Sequence, residues 1–250
     1  MAAAEGMAGL AKGLAVLEAF GSAHAKLTIS DSAKMTGLSR ATARRCLLTL
    51  VDLGYLSFDG KFFAPTPRTL RLGNAYVDTA SLPSLAQPHL AAVREIVSES
   101  VSLAVYAGGE SLFVARSEVT RIVNTGVRVG ATLPAYASAT GHVLLAALPE
   151  KELDEYLGRV QLRARTPKTP ITRTEIIERV EQARRDGFAI TDEELELGLR
   201  SMAVPVLNSR RDIVAAMSVS AFAARVTVDD MLKTFLPPMR EHATMLGRMA

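Results

Sequence analysis

"LSRATARRCLLTL", residues 38–50, sets Arg40, Arg44 and Arg45 beside a run of leucines, and what those arginines face decides how the first third of the chain is read. On a helical wheel Ala43, Cys46, Leu47, Leu50 and Leu53 share one face, while Ala41, Arg44, Arg45, Leu48 and Asp52 gather on the other. Ser39 carries a hydroxyl that can accept from the first amides of a helix starting at Arg40. Upstream, "LTISDSAKMTGLS" places Thr28 three residues before Asp31 as a capping pair, and Gly37 can take the left-handed conformation that closes a short helix. Two helices joined by a turn at Gly37 form a helix-turn-helix. Downstream, "YLSFDGKFF" predicts two short aromatic-rich strands around Asp59-Gly60, a dipeptide that favours a tight type I′ turn. That hairpin completes a winged helix-turn-helix. Before it, Leu10, Leu14, Leu17 and Phe20 recur at helical spacing and predict an amphipathic helix that stops near Gly21.

In such a module the N-terminal half of the second helix enters a major groove of DNA. Arginine there donates two hydrogen bonds to guanine or clamps phosphate, and small Ala41 and Thr42 let the backbone approach the base edges. Charge agrees with this reading: residues 1–75 hold nine Lys/Arg against five Asp/Glu, a net +4, while the whole chain carries only +3. The expected DNA-contacting residues are Thr28, Ser39, Arg40, Ala41, Thr42, Arg44, Arg45 and, at the wing tip, Lys61 on phosphate. The bland alternative is a solvated basic face, and the capped helix, the Gly37 turn and the wing weigh against it. The lone Cys46 lies on the apolar face and reads as a small core residue, not a redox sensor.

A chain of 250 residues is long enough for two cores. "RTLRLGNAYVDTA" returns to helical spacing with Leu70, Leu72 and Tyr76, and "SLPSLAQP" then predicts a break. The reading divides the chain into a DNA-binding domain (1–67), a linker helix (68–83) and a second domain (84–250). In the last, a helix over Pro88–Val97 leads into two strands around Gly108-Gly109. "RIVNTGVRVG" predicts a strand, and "YASATGHVLLAALP" a helix that starts among small residues and stops at Pro149. Thr172 and Glu175 frame a capping box for a helix to Gly187. "GFAIT", "SMAVPVL" and "IVAAMSVSAF" are three β-rich runs, and a last helix lies between Val228 and Met249. The fold class is α+β: a winged helix-turn-helix, a linker helix, and an antiparallel sheet with helices on its faces.

Within the second domain Ser138, Ala139 and Thr140 begin a helix whose first amides can bind a carboxylate or simply be capped. Ser218 and Ser220 alternate along a strand, so both hydroxyls point to one side while Met217 and Val219 face the other. "TDEELELGLRS" is acidic and then basic, but no nucleophile, histidine partner or metal site accompanies it, so no catalytic residue is assigned. One cysteine excludes an internal disulfide, and four histidines without ligand-pair spacing argue against a metal. No cofactor is expected. No apolar run approaches the roughly 18–20 residues of a membrane helix, and the start lacks the order of a secretory signal, which points to the cytoplasm.

Taken together, "ISDSAKMTGLSRATARRCLLTLVDLGYL", "LPAYASATGHVLLAALP", "DEELELGLRSMAVPV" and "AAMSVSA" resemble the IclR (isocitrate-lyase-regulator) family of bacterial transcription factors over nearly the whole chain. Through "ARSEVTRIVNTGVRVGATLPAYA" and "ELELGLRSMAVPV" the chain looks most like the branch regulating protocatechuate, 4-hydroxybenzoate and β-ketoadipate catabolism. The resemblance implies a GAF-like effector domain, a small organic-acid effector, a palindromic operator, and homodimers that pair into dimers of dimers. By motif it implies effector contacts at Ser138, Ala139, Thr140, the Thr191-Asp192 region, Ser201, Ser218 and Ser220. Two positions depart from the family pattern: Ser32 stands where an apolar residue is usual, and His142 where this branch often has a basic one. Beside a ligand-responsive regulator stand two other readings, a constitutive DNA-binding protein and a small-acid enzyme with a DNA-binding appendage.

Overall fold

The computed structural model describes residues 6–21, 24–79, 81–120 and 127–250, and the chain divides into two compact units at Thr79. The first unit contains α1 (Ala8–Glu18), α2 (Ile29–Thr36), α3 (Arg40–Asp52), a hairpin of β1 (Leu56–Phe58) and β2 (Phe63–Pro65), a 3-10 turn at Pro67–Thr69, and α4 (Leu70–Thr79). Its core joins Val16, Leu47, Leu50, Leu56 and Phe63. Ala43 and Leu47 are fully buried, as the wheel predicts, but Leu53 is exposed because α3 ends at Asp52 and Leu53 only caps it. Leu48, placed on the outer face, is half-buried against the same core. On α1 the packing stripe also differs: Val16 is buried, whereas Leu10 and Leu14 are exposed.

The wing closes differently from a two-residue type I′ turn, which needs positive φ at both Asp59 and Gly60. Gly60 alone has it, at 98°. Asp59 instead folds its carboxylate over the turn, accepting from the amides of Lys61 (3.0 Å) and Phe62 (2.7 Å), so four residues separate the paired Phe58 and Phe63. In α2, Ser32 is fully buried and its hydroxyl has no hydrogen-bond partner among the described residues. A buried unsatisfied hydroxyl costs about 1–3 kcal/mol. Ser32→Ala is therefore expected to stabilise the first unit by about 1 kcal/mol, read as a higher urea midpoint; a lower midpoint would show that the hydroxyl is satisfied in solution.

In the second unit six antiparallel strands lie in the order β5-β4-β3-β8-β7-β6: β3 (Val101–Ala107), β4 (Glu110–Ser117), β5 (Thr132–Pro134), β6 (Ala189–Asp192), β7 (Leu199–Leu207) and β8 (Ile213–Phe222). One face of the sheet packs on α5 (Ser81–Val97) and on a C-terminal helical run. That run begins with α9 (Val228–Asp230), widens into a π turn at Met231–Phe235 and continues as α10 (Leu236–Gly247). The widening precedes Pro237 and Pro238, which cannot donate to the carbonyls of the preceding turn. Leu90, Val93, Met202, Met217, Val219 and Met239 form this layer. The predicted break at "SLPSLAQP" is corrected: α5 begins at Ser81 and runs through both prolines. Pro83 sits in the first turn, where an amide has no intrahelical partner, and exposed Pro88 leaves the carbonyl of exposed Ser84 to water.

The opposite face of the sheet carries α6 (Ala139–Leu145), preceded by a 3-10 turn at Ala135–Ala137. Beneath it the sheet presents Ala104, Ala189, Ala203 and Ala216, small side chains that let the helix lie close. Outside α6 come α7 (Glu150–Arg159) and α8 (Arg173–Asp186). The Thr172-Glu175 capping box forms as the spacing predicts, and α8 ends at Gly187. Sequence reasoning missed α7, although Leu153, Tyr156 and Leu157 have helical spacing and Glu150 and Glu152 suit a first turn. The helix predicted to run to Pro149 ends at Leu145, and Pro149 precedes α7. Of the strand predicted at "RIVNTGVRVG", residues 121–126 lie outside the described residues, and 127–130 are irregular with a turn at Val129-Gly130.

Candidate DNA interface and ligand cavity

The helix-turn-helix is held by its caps. Thr28 and Asp31 form a reciprocal capping box, and Gly37 ends α2 at φ 68°. Thr28 donates its hydroxyl proton to Asp31 Oδ2 at 2.7 Å and accepts from the Asp31 amide, so it orients α2 and has no free proton to offer phosphate. Ser39 likewise caps α3: its Oγ accepts from the Thr42 amide at 3.2 Å and lies 2.9 Å from Thr42 Oγ1. Beyond these caps Arg40, Ala41, Arg44 and Arg45 are exposed on one side of α3, and among the described residues no carboxylate pairs with any of the three arginines. Cys46 is half-buried against the core. Lys61 is exposed in the wing turn, its ammonium 5.0 Å from the Phe62 ring centre. The result is an uncompensated cationic surface at the start of a capped helix, suited to a polyanion.

In the second unit, strand register builds the other site. Moving across the sheet, Arg116 on β4 pairs with Ser102 on β3, Ser102 with Ser218 on β8, and Ser218 with Ala203 on β7. The next row joins Ser220 on β8, Ser201 on β7 and Thr191 on β6. All point to the α6 side of the sheet because Met217, Val219 and Met202 fill the other. Where α6 begins, the alanine floor thus gives way to hydroxyls, leaving a cavity of about 330 Å³. Phe113, Val127, Leu133, Leu195 and Leu199 supply its apolar walls, and Glu196 is the one carboxylate among its described lining residues. A volume near the low end of the usual range for ligand pockets suits a small molecule.

Six of the seven sequence-predicted effector positions line this cavity: Ser138, Ala139, Thr140, Ser201, Ser218 and Ser220. Ser138 Oγ accepts from the Gly141 amide at 3.1 Å and so caps α6, while Ser201 and Ser220 share a hydrogen bond of 2.8 Å. Asp192 is a correction. Strand alternation turns Thr191 into the cavity and Asp192 away from it, where its Oδ1 accepts from Arg200 Nε at 2.8 Å and Nη2 at 2.7 Å. Asp192 lines instead a second cavity of about 440 Å³ with His142, Arg179 and Glu194.

Arg116 was not anticipated from sequence. Its side chain is only 5% exposed, it lines the cavity, and it donates from Nη1 to Ser102 Oγ at 2.7 Å and from Nε to Glu118 Oε1 at 2.8 Å. A desolvated guanidinium among hydroxyls is a strong hydrogen-bond donor to a carboxylate. The only advance signal was a basic residue on the inward phase of a strand, and that phase was unreadable without the register.

His142 is wholly buried on α6, and its Nε2–H donates to the Tyr136 carbonyl at 2.8 Å. Burial, with Arg179 nearby, holds its imidazole down at about 4, below the usual 6.5. The fold therefore stabilises the neutral ring; as pH falls from 6.5 toward 4 the unfolded chain takes up a proton that the folded chain refuses. Stability is complete above pH 6.5, and about 3 kcal/mol of it is lost by pH 4. Urea unfolding at pH 7 and 4.5 should show a clearly smaller loss in His142→Gln than in the wild type; equal losses would remove His142 as the cause.

Among the described residues no group of three or more His, Cys, Asp or Glu side chains could hold a metal, and no helix is long and apolar enough to cross a membrane. A larger groove of about 1250 Å³ runs beside α7, with Lys151 and Arg159 among its cations and Glu152 and Glu155 among its anions. Its charges are mixed, and it holds none of the predicted residues.

Comparison with known proteins places both units. Residues 9–60 match the IclR helix-turn-helix domain and residues 74–248 the C-terminal domain of bacterial transcriptional regulators of the IclR type. The Pca regulon regulatory protein of Pseudomonas putida is 40% identical over 92% of this chain and 80% of its own length. The p-hydroxybenzoate hydroxylase transcriptional activator of Acinetobacter baylyi is 37% identical over 97% of this chain and 92% of its own. Among solved structures, an IclR homolog of Microbacterium hydrocarbonoxydans complexed with 4-hydroxybenzoate superposes with a TM-score of 0.77 at 27% identity, covering 96% and 97% of the two chains.

Proposed function

Because the chain belongs to the IclR family of bacterial transcriptional regulators, we propose that it controls genes of aromatic-acid catabolism and that its effector is a small aromatic acid held in the Arg116 cavity. The observation that carries this reading is the gathering, in one cavity of about 330 Å³, of a buried arginine, a set of hydroxyls and apolar walls. Arg116 takes the carboxylate. Ser201, Ser218, Ser220, Ser138 and Thr140 take the acid's remaining oxygens together with Thr191, and Phe113 and the leucines take the ring. The names of the relatives, with 4-hydroxybenzoate bound to the Microbacterium homolog, support an acid of the hydroxybenzoate or protocatechuate kind.

DNA is held by Arg40, Arg44 and Arg45 with Ala41 and Thr42 at the groove, Lys61 on phosphate, and Thr28 and Ser39 acting through their caps. The protein works in the cytoplasm as a homodimer, or a dimer of dimers, on a palindromic operator. Exposed Leu10 and Leu14 on α1 and Leu70, Leu72 and Tyr76 on α4 support the dimer, being apolar surface that a partner would cover. No catalytic constellation is assigned, and the protein acts by binding alone.

Calorimetry of the full chain with protocatechuate, 4-hydroxybenzoate and β-ketoadipate tests the effector. The double change Ser218→Ala, Ser220→Ala is expected to weaken the acid that binds by about tenfold or more, at about 1 kcal/mol per hydroxyl, with DNA affinity unchanged. An unaltered response would remove both serines from the site. Turnover of the acid would instead favour an enzyme, and the absence of any thermal shift would favour a constitutive DNA-binding protein.

A further inference from the structure

Resting on the reading of this cavity as an acid-binding site, we propose that Glu118 is a built-in competitor of the effector, which must displace the Glu118 carboxylate from Arg116 in order to bind. The Arg116 guanidinium is almost wholly buried, whereas Glu118 is half exposed, so the pair can open toward water on the glutamate's side only. Arg116 also belongs to the cavity wall. An incoming carboxylate would put a second anion beside one guanidinium in a low-dielectric pocket, where like charges repel strongly. The half-exposed one leaves, because its charge is the one water can solvate.

What Glu118 lets go of gives the exchange a consequence. It lies just beyond the end of β4, and its position is held in two further ways: its carbonyl accepts from Arg94 of α5 at 3.4 Å, and the next amide, Val119, donates to Ser100 Oγ between α5 and β3 at 3.1 Å. The Glu118 side chain thus ties the segment after β4 back to Arg116 of β4, while the backbone of the same segment is tied to the end of α5 at two points. Releasing the side chain frees the segment from β4 and leaves it held only by those two backbone bonds, so occupancy of the cavity is felt first at the Val119 amide, beside the end of α5, the helix that opens the second unit. By linkage, if acid expels Glu118, then removing the charge of Glu118 must favour the acid, and couplings of this kind are commonly about 5- to 150-fold.

The test uses the full chain with 4-hydroxybenzoate as probe. Glu118→Gln, which keeps size and an acceptor for Arg116 Nε but not the charge, is expected to bind about tenfold more tightly than wild type, and Arg116→Lys at least tenfold more weakly. Hydrogen exchange supplies a second readout: the Val119 amide should exchange faster in wild type when saturated with the acid. Equal or weaker affinity in Glu118→Gln, or an unchanged Val119 rate on saturation, overturns the proposal while binding by wild type leaves the acid-site reading standing. If neither wild type nor Glu118→Gln binds any of the three acids, the proposal and the acid-site reading fall together.

Discussion

Replacing both Arg44 and Arg45 by alanine is expected to lower affinity for a duplex selected by the wild-type protein by roughly 30-fold to 10⁴-fold, at about 1–3 kcal/mol for each arginine. Both side chains are exposed on α3 and neither is held by a carboxylate among the described residues, so their charge is available to DNA and not to the fold. Stability should accordingly stay within about 0.5 kcal/mol of wild type, as for other surface changes. The single variants separate the roles. An arginine on phosphate lowers the slope of log K against log salt by about 1 and weakens all sequences alike; one on guanine leaves the slope and relaxes the sequence preference. Unchanged affinity of the double variant at matched salt would remove α3 from the interface.

Gly141→Ala is expected to be a severely damaging single methyl in the second unit. The 3-10 turn at Ala135–Ala137 folds against the first turn of α6, and a Cβ on Gly141 would stand 2.1 Å from the Ala135 carbonyl oxygen and 2.3 Å from its Cα. Backbone cannot rotate out of the way as a flexible side chain can. The turn and the helix must part, and Ser138, Ala139 and Thr140 move with them, so the expected loss is about 3 kcal/mol or more together with effector binding. Gly158→Ala in α7 is the control. Its Cβ would meet nothing within 4 Å, and alanine in a helix should stabilise by about 0.5–1 kcal/mol. Urea unfolding of the two variants would contradict the argument if Gly141→Ala were as stable as wild type.

The two predictions differ in what made them visible. Arg44 and Arg45 were assigned from a segment of about 13 residues because a helix displays its faces in its own sequence, and the caps Thr28-Asp31, Ser39 and Thr172-Glu175 act over three residues. Nothing near Gly141 in the sequence announces that Ala135 folds back on it. The misread places have the same origin: the path of α5 through Pro83 and Pro88 depends on which amides and carbonyls reach water, and the exposure of Leu10 and Leu14 depends on which face of α1 the core takes.

By itself, then, the sequence determined the winged helix-turn-helix, the α+β class of the second unit and the shared side of Ser218 and Ser220 on β8, because caps, helical faces and strand alternation are properties of neighbouring residues. Tertiary structure alone decided that Arg116 stands beside Ser102 and Ser218, that Thr191 and not Asp192 enters the cavity, and that His89 and His242 meet with their Nδ1 atoms 3.1 Å apart. Those facts depend on the pairing register of strands and the packing of helices from distant parts of the chain. A shift of one residue in register would exchange every inward side chain for an outward one.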